Sequence, residues 1–180
     1  MEEFSLKAVE TKLKGPSIEQ IVFHNQWAAV AFDIYHYNSK TEIEIEIDGK
    51  VMKLQLSWDS NFSSAAMKEK KDMANHGGVA LAWFVMSVLL DYGYVEQTEI
   101  GTGVDYRFRK SEPADDDLNF MDDFHYTEIS GILEESQSNK LSRRIKEKHE
   151  QISRGEKSGK SSSIIVTLFS QPKTVKEIHN

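Results

Sequence analysis

A chain of 180 residues is long enough to bury a proper core and is most simply one domain. It contains no cysteine, which excludes disulfides and thiolate metal sites and fits a reducing cytoplasm. A net charge of −7 argues against a generic nucleic-acid coat, and the longest apolar run, Val79 to Leu90, falls short of the ~20 residues that span a bilayer.

The N-terminus, Met1-Glu2-Glu3-Phe4-Ser5, lacks the basic-then-apolar order of a signal peptide. The expectation is a soluble, cytoplasmic protein with no membrane association. Within residues 1–40, Ser17-Ile18-Glu19-Gln20 has the form of a helix start, with Ser17 as cap and Gln20 closing a capping box. Val30 to His36, rich in small, β-branched and aromatic residues, reads as a strand. Thr41 to Ile47 then alternates strictly, Asp48-Gly49 follows, and Lys50 to Trp58 alternates again. Asp-Gly between alternating runs predicts a two-residue hairpin turn, because a type I′ turn needs positive φ at both positions. That loop pairs Ile47 with Lys50, Ile45 with Met52 and Ile43 with Leu54, and sets Glu46 against Val51 and Glu44 against Lys53.

Asn61 to His76 is polar and charged, a short helix or an ordered loop. Gly78 to Tyr92 is apolar nearly all round and predicts a helix buried against a sheet, with Gly93 supplying a left-handed cap. Tyr94 to Glu99 reads as a strand, Gly101–Gly103 as a turn and Val104 to Arg109 as a second strand. Glu112 to Asp123, with six acidic residues and a proline, reads as a solvated loop. Phe124 to Ile132 is a third strand and Ser138 to Ile152 an amphipathic helix. Arg154 to Ser162 is a Gly/Ser/Lys loop, and Ser163 to Phe169 an apolar strand closed by Pro172, after which the last residues look frayed. From Lys140 to Lys160, eight Lys/Arg face three Glu, a local +5 on a remainder of −12. Such a basic face suits a phosphate or an acidic protein, and equally a solvated surface helix.

Two phosphate-loop lookalikes fail on context. Gly155 to Ser161 resembles a Walker A loop but is one residue short and runs from helix to strand. Gly101-Thr102-Gly103 lacks a third glycine and leads into a strand. The six histidines show no paired metal spacing, and no nucleophile elbow supports a Ser-His-Asp triad.

The carboxylates offer more. On 104–109, Asp105, Arg107 and Arg109 share one face, and on 124–132 so do Tyr126, Glu128 and Ser130. If the strands are neighbours, Asp105 and Glu128 form an oxygen site for a hard cation, which one or two carboxylates plus water and substrate phosphate hold. The plainer reading is two exposed or capping carboxylates.

The element order, helix, strand, Gly-rich turn with Asp, strand with Glu, helix, strand, resembles the αβββαβ core of the PD-(D/E)XK nuclease superfamily, the restriction-endonuclease-like fold. Gly103-Val104-Asp105 looks like its first half-motif, and Glu128-Ile129-Ser130-Gly131 looks like the second, Glu-x-Lys followed by Gly. The resemblance covers about residues 78–170. It implies one α/β domain: a mixed central sheet with flanking helices, an N-terminal extension over 1–77 carrying the β-hairpin 41–58, and a tail over 171–180. It also implies Mg²⁺ or Mn²⁺ on Asp105 and Glu128, with nucleic-acid phosphodiesters as substrate. Where the family has its lysine, this chain has Ser130. In some members the lysine comes from elsewhere, and at roughly 100° per residue Lys148 falls in the same helix stripe as Leu141, Ile145 and Ile152. In the catalytic reading Lys148 replaces the missing lysine, with Arg144 and Gln151 beside it to contact phosphate or position it; the plainer reading is that Lys148 snorkels from the rim of the sheet to water. The rival is a catalytically inactive nuclease fold serving as a binding or regulatory module for a protein partner, of the immunity-like or defence-system kind. Convergence of Asp105, Glu128 and Lys148 favours catalysis; carboxylates that diverge favour the binding module.

Overall fold

Residues 1–60, 64–99, 103–114, 124–155 and 160–179 are described by the computed structural model. The capping box forms as the sequence predicts: Gln20 N donates to Ser17 Oγ at 3.3 Å and Ser17 N to Gln20 Oε1 at 2.8 Å. The helix it starts, α2 (Ile18–Asp33), follows a short β1 (Glu3–Ser5) and α1 (Val9–Lys12). β2 (Lys40–Ile47) and β3 (Lys50–Ser57) form the hairpin, in the predicted register, around Asp48 and Gly49 at φ of 50° and 81°. α3 (Lys70–Phe84) continues into a π-helical turn, Val85–Leu89. β4 (Tyr94–Gln97), β5 (Tyr106–Arg109) and β6 (His125–Ile132) follow, then α4 (Leu141–Arg154), β7 (Ser162–Leu168) and β8 (Lys173–His179).

The eight strands of the described residues lie in one mixed sheet of order β1-β3-β2-β8-β7-β6-β5-β4, which makes the fold α/β. β4, β5 and β6 run as an antiparallel meander; β6 and β7 are parallel, connected through α4. The hairpin joins the same sheet through β8, which lies parallel to β2 and antiparallel to β7. α2 and α3 cover one face, with Ile43, Ile45, Leu54, Leu56, Ile129 and Ile165 in the main core. α4 covers the other, where Tyr126, Ile132, Ile152, Ile164 and Val166 form a smaller cluster. No helix among the described residues is long and apolar enough to cross a membrane.

The helix α3 reaches β6 at a close contact that requires glycine. A Cβ on Gly131 would meet the Ala74 carbonyl oxygen at 1.9 Å, and one on Gly78 would meet Gly131 N at 2.9 Å. Packing at that distance leaves no space for a methyl group.

Four expectations need correction. Val30 to His36 is not a strand: Val30 to Asp33 completes α2, and Ala28, Ala29 and Ala31 are buried. A Cβ on Gly77 of α3 would meet Ala28 Cα at 3.2 Å, so the small residues serve close helix packing, which overrides the β-branched content. The buried helix expected to begin at Gly78 starts eight residues earlier, where Glu69 accepts a hydrogen bond from Lys71 N at 3.2 Å and caps an exposed first turn. Its left-handed residue is Asp91, at φ 57°, rather than Gly93, which instead lets the Lys110 carbonyl approach. The tail is not frayed. β8 carries two lysines that meet acidic partners: Lys173 Nζ reaches Glu44 and Glu46 at 2.8 and 2.9 Å, and the buried Lys176 pairs with Asp48 at 2.8 Å. Those ion pairs hold a polar strand in the middle of the sheet. Gly101 and Thr102, most of the acidic loop (115–123) and 156–159 of the Walker-like loop lie outside the described residues.

Candidate active site

Strand alternation decides which side chains of β6 meet α4. Ile129 and Gly131 face α3, so Tyr126, Glu128, Ser130 and Ile132 face α4. Glu128 thereby becomes a carboxylate buried at 1% exposure. α4 lays its apolar stripe over the same surface, which brings Lys148 down onto it: Lys148 Nζ donates to Glu128 Oε1, and at 3.1 Å to Gln151 Oε1.

Asp105 arrives by a different route. The β5–β6 ladder stops at the pair Tyr106↔Thr127, so the next rung would set Asp105 opposite Glu128. Asp105 N still donates to the Thr127 carbonyl at 3.0 Å, but on the other side of the rung its side chain takes over: Oδ2 accepts from Ile129 N at 2.8 Å. The carboxylate is thus clamped to the backbone next to Glu128. The preceding Gly103, at φ 78°, lies so close to the end of α4 that a Cβ would meet Gly155 Cα at 2.8 Å. Glycine here is needed for both the backbone conformation and the approach.

The electrostatics follow from this crowding. Burial, reinforced by the charge of Asp105, pushes Glu128 up to about 7, against the opposing pull of Lys148. Burial also raises Asp105, against the Ile129 N–H and Lys148. One lysine therefore serves two carboxylates, and Glu128 Oε2 is buried with no hydrogen-bond partner among the described residues. An unpartnered buried oxygen costs about 1–3 kcal/mol, a cost that a cation or a proton would relieve. The described residues hold no group of three or more His, Asp or Glu side chains that could bind a metal ion. A pair of carboxylates with an unused oxygen is nonetheless a donor set that fits Mg²⁺ or Mn²⁺ completed by water.

Asp105, Glu128, Lys148 and Gln151 therefore come together, whereas Ser130 and Arg144 do not join them. Ser130 lies two residues along β6 and Arg144 one turn back along α4, and both line a neighbouring cleft of about 490 Å³. Lys70, Lys71, Asn139, Glu134 and Glu135 also line it, so its charge is mixed, and Arg144 Nη2 donates to Asn139 Oδ1 at 2.9 Å. Lys70 and Lys71 escape notice in the sequence because they belong to the polar stretch ahead of the apolar run. Their signal is the basic cluster Lys68-Glu69-Lys70-Lys71. In comparisons with known proteins, the chain matches no family model, no curated protein and no solved structure.

Proposed function

We propose that this chain is a divalent-metal-dependent phosphodiesterase with a restriction-endonuclease-like core, acting on nucleic acid. The observation that carries the reading is the convergence of Asp105, Glu128 and Lys148 on one buried spot. The chain order supports it: α3, the β4–β5–β6 meander, α4 on the opposite face and the parallel β7 follow the αβββαβ order of the PD-(D/E)XK superfamily. The absence of cysteine fits a cytoplasmic setting.

In this reading Asp105 and Glu128 hold Mg²⁺ or Mn²⁺. The bound ion would polarise a phosphoryl oxygen and acidify a water molecule. Lys148, kept in place by Gln151, supplies the positive charge that Ser130 cannot, beside the carboxylates where charge develops at phosphorus. In the adjoining cleft Ser130, Arg144, Lys70 and Lys71 bind a neighbouring phosphate of the strand, against the repulsion of Glu134 and Glu135, which line the same cleft.

A second reading rests on the same ion pair. Lys148 already neutralises Glu128, and the chain carries a net charge of −7, as suits a nuclease fold that has lost its chemistry and binds a protein partner. Cleavage of DNA and RNA with Mg²⁺ or Mn²⁺ separates the two. The catalytic reading expects Asp105→Ala and Glu128→Ala each to lose more than the about 10–100-fold that removal of a metal ligand's outer-shell partner costs. Equal activity in the variants, or no cleavage by the wild type of any substrate, would sink it. A companion measurement is proton release: Glu128 near 7 carries a proton that Mn²⁺ must displace, so the calorimetric heat at pH 6.5 should depend on buffer ionisation enthalpy.

A further inference from the structure

We propose that His149 of α4 and His179 of β8 form a transition-metal site, separate from the carboxylates, whose ion fastens α4 to the sheet. The two residues stand 30 positions apart and show no metal spacing in the sequence, yet the fold sets their Nδ1 atoms 3.0 Å from each other. The ring planes differ by 23° and the centroids lie 5.3 Å apart, so the two nitrogens face each other.

Proton accounting leaves that contact short of a positive charge. Glu177 Oε2 lies 3.1 Å from His149 Nε2, and a carboxylate accepts, so His149 carries its proton on Nε2. Its Nδ1 is then a lone pair. On the other ring, His179 Nε2 lies 3.3 Å from Ser153 Oγ. That hydroxyl has one proton and gives it to the nearer acceptor, the His149 carbonyl at 3.0 Å, so it accepts from His179 Nε2. The Nδ1 of His179 is therefore a lone pair as well. Two lone pairs at this distance repel each other until a cation, a proton or a metal ion, joins them.

The surroundings point to the metal ion. Burial and the facing His149 lower His179, which works against a shared proton at neutral pH. Two imidazole nitrogens about 2.0–2.1 Å from one ion, in neighbouring coordination positions, lie about 3.0–3.4 Å apart, and the observed separation falls in that range. A turn of each ring aims both lone pairs at one ion, with water in the remaining positions. Glu177 behind His149 is the carboxylate that fixes a metal-binding histidine in the required tautomer. The His149 side chain is 26% exposed, so an ion can enter from solvent. Nitrogen ligands select Zn²⁺, Cu²⁺ or Ni²⁺, whereas Mg²⁺ takes oxygen. The site shares no ligand with Asp105 and Glu128 and stands without the phosphodiesterase reading.

Such an ion has a mechanical consequence. Ile152 is the one buried residue of α4, so apolar packing holds this helix lightly. A bridge from His149 to β8 would steady the turn that also carries Lys148.

The test titrates the metal-free, full-length protein at neutral pH with Zn²⁺, Ni²⁺ and Mg²⁺. Calorimetry and the imidazole C–H resonances of His149 and His179 report binding, and amide hydrogen exchange reports the hold on α4. Saturable Zn²⁺ and Ni²⁺ binding that shifts both rings and slows exchange along α4 is expected, with no such shift from Mg²⁺. Glu177→Ala, which keeps both ligands, should weaken binding about 10–100-fold. His149→Gln and His179→Gln, at partly exposed positions, should each weaken it more. Lys146→Ala, on the exposed side of α4, should change nothing. Rings that titrate with pH but do not respond to millimolar Zn²⁺ would mean a shared proton only and overturn the proposal. Equal Zn²⁺ affinity in both histidine variants overturns it too, as does loss of the ring shifts in Asp105→Ala, which would put the ion at the carboxylates. Binding at the histidines with unchanged exchange along α4 would overturn the fastening role.

Discussion

The two faces of β6 sit on one strand, yet they are held by opposite means. Toward α3, Gly131 and Ile129 meet backbone and apolar side chains so closely that Gly131 cannot carry a methyl group. Toward α4, Glu128 and Ser130 are buried among polar groups, and the helix above them brings a lysine rather than a leucine. The first face gains from close contact, and burial holds its titratable group, His125, down at about 4 and so uncharged at neutral pH. The second bears a desolvated ion pair, which contributes little to stability and holds charged groups ready for a ligand. A strand can do both because its side chains alternate, so rigidity on one side supports a costly arrangement on the other.

The sharpest way to break this contrast is on the dry face. Gly131→Ala must push the Ala74 carbonyl away from 1.9 Å, and should lower unfolding stability by about 3 kcal/mol or more in a denaturant titration. An ordinary loss of a few tenths would show that α3 yields freely there.

The polar face should instead reveal itself through pH. With Glu128 raised to about 7 in the fold from an ordinary value of 4.5, the native state binds the extra proton between those values. Stability is therefore fully present below pH 4.5 and falls as pH rises through 7, on the order of 3 kcal/mol in total. Glu128→Gln should remove most of that slope; denaturation midpoints between pH 5 and 8 measure it. Lys148→Met tests the partner. Without the ammonium, Glu128 ionises less readily, so the variant should lose about 1–3 kcal/mol at pH 8 and far less at pH 5. An equal loss at both pH values would mean that Lys148 acts through its packing alone. The smallest effect belongs to the outer side of α4, where the exposed Arg143 and Glu147 pair at 3.0 Å. Arg143→Ala should cost under about 0.5 kcal/mol at pH 7 and less in high salt.

Several features of this protein are local and were legible in residue order. Asp48-Gly49 between two alternating runs specifies the hairpin and its register, because turn geometry and period two leave one solution. Ser17 and Gln20 cap α2 through contacts three residues apart. Lys148 is readable because helical periodicity puts it in an apolar stripe, where a lysine needs a partner. The remaining features depend on contacts that no local pattern encodes. The alanines of α2 look like strand residues until α3 lies against them. The terminal strand β8 looks frayed until Glu44, Glu46 and Asp48 supply its lysines with partners from residues more than a hundred positions earlier. The cavity lined by Gln20, Trp83, Val95 and Tyr106 draws on α2, α3, β4 and β5 together. What the sequence determined by itself, then, was the identity of the carboxylates, the lysine and the elements that carry them. Tertiary structure alone decided that the β5–β6 ladder ends one residue short, so that the Asp105 side chain takes over the next hydrogen bond, beside Glu128. Where a ladder stops is set by the packing of neighbouring elements, here Gly103 against the end of α4, and a strand's own periodicity does not contain it.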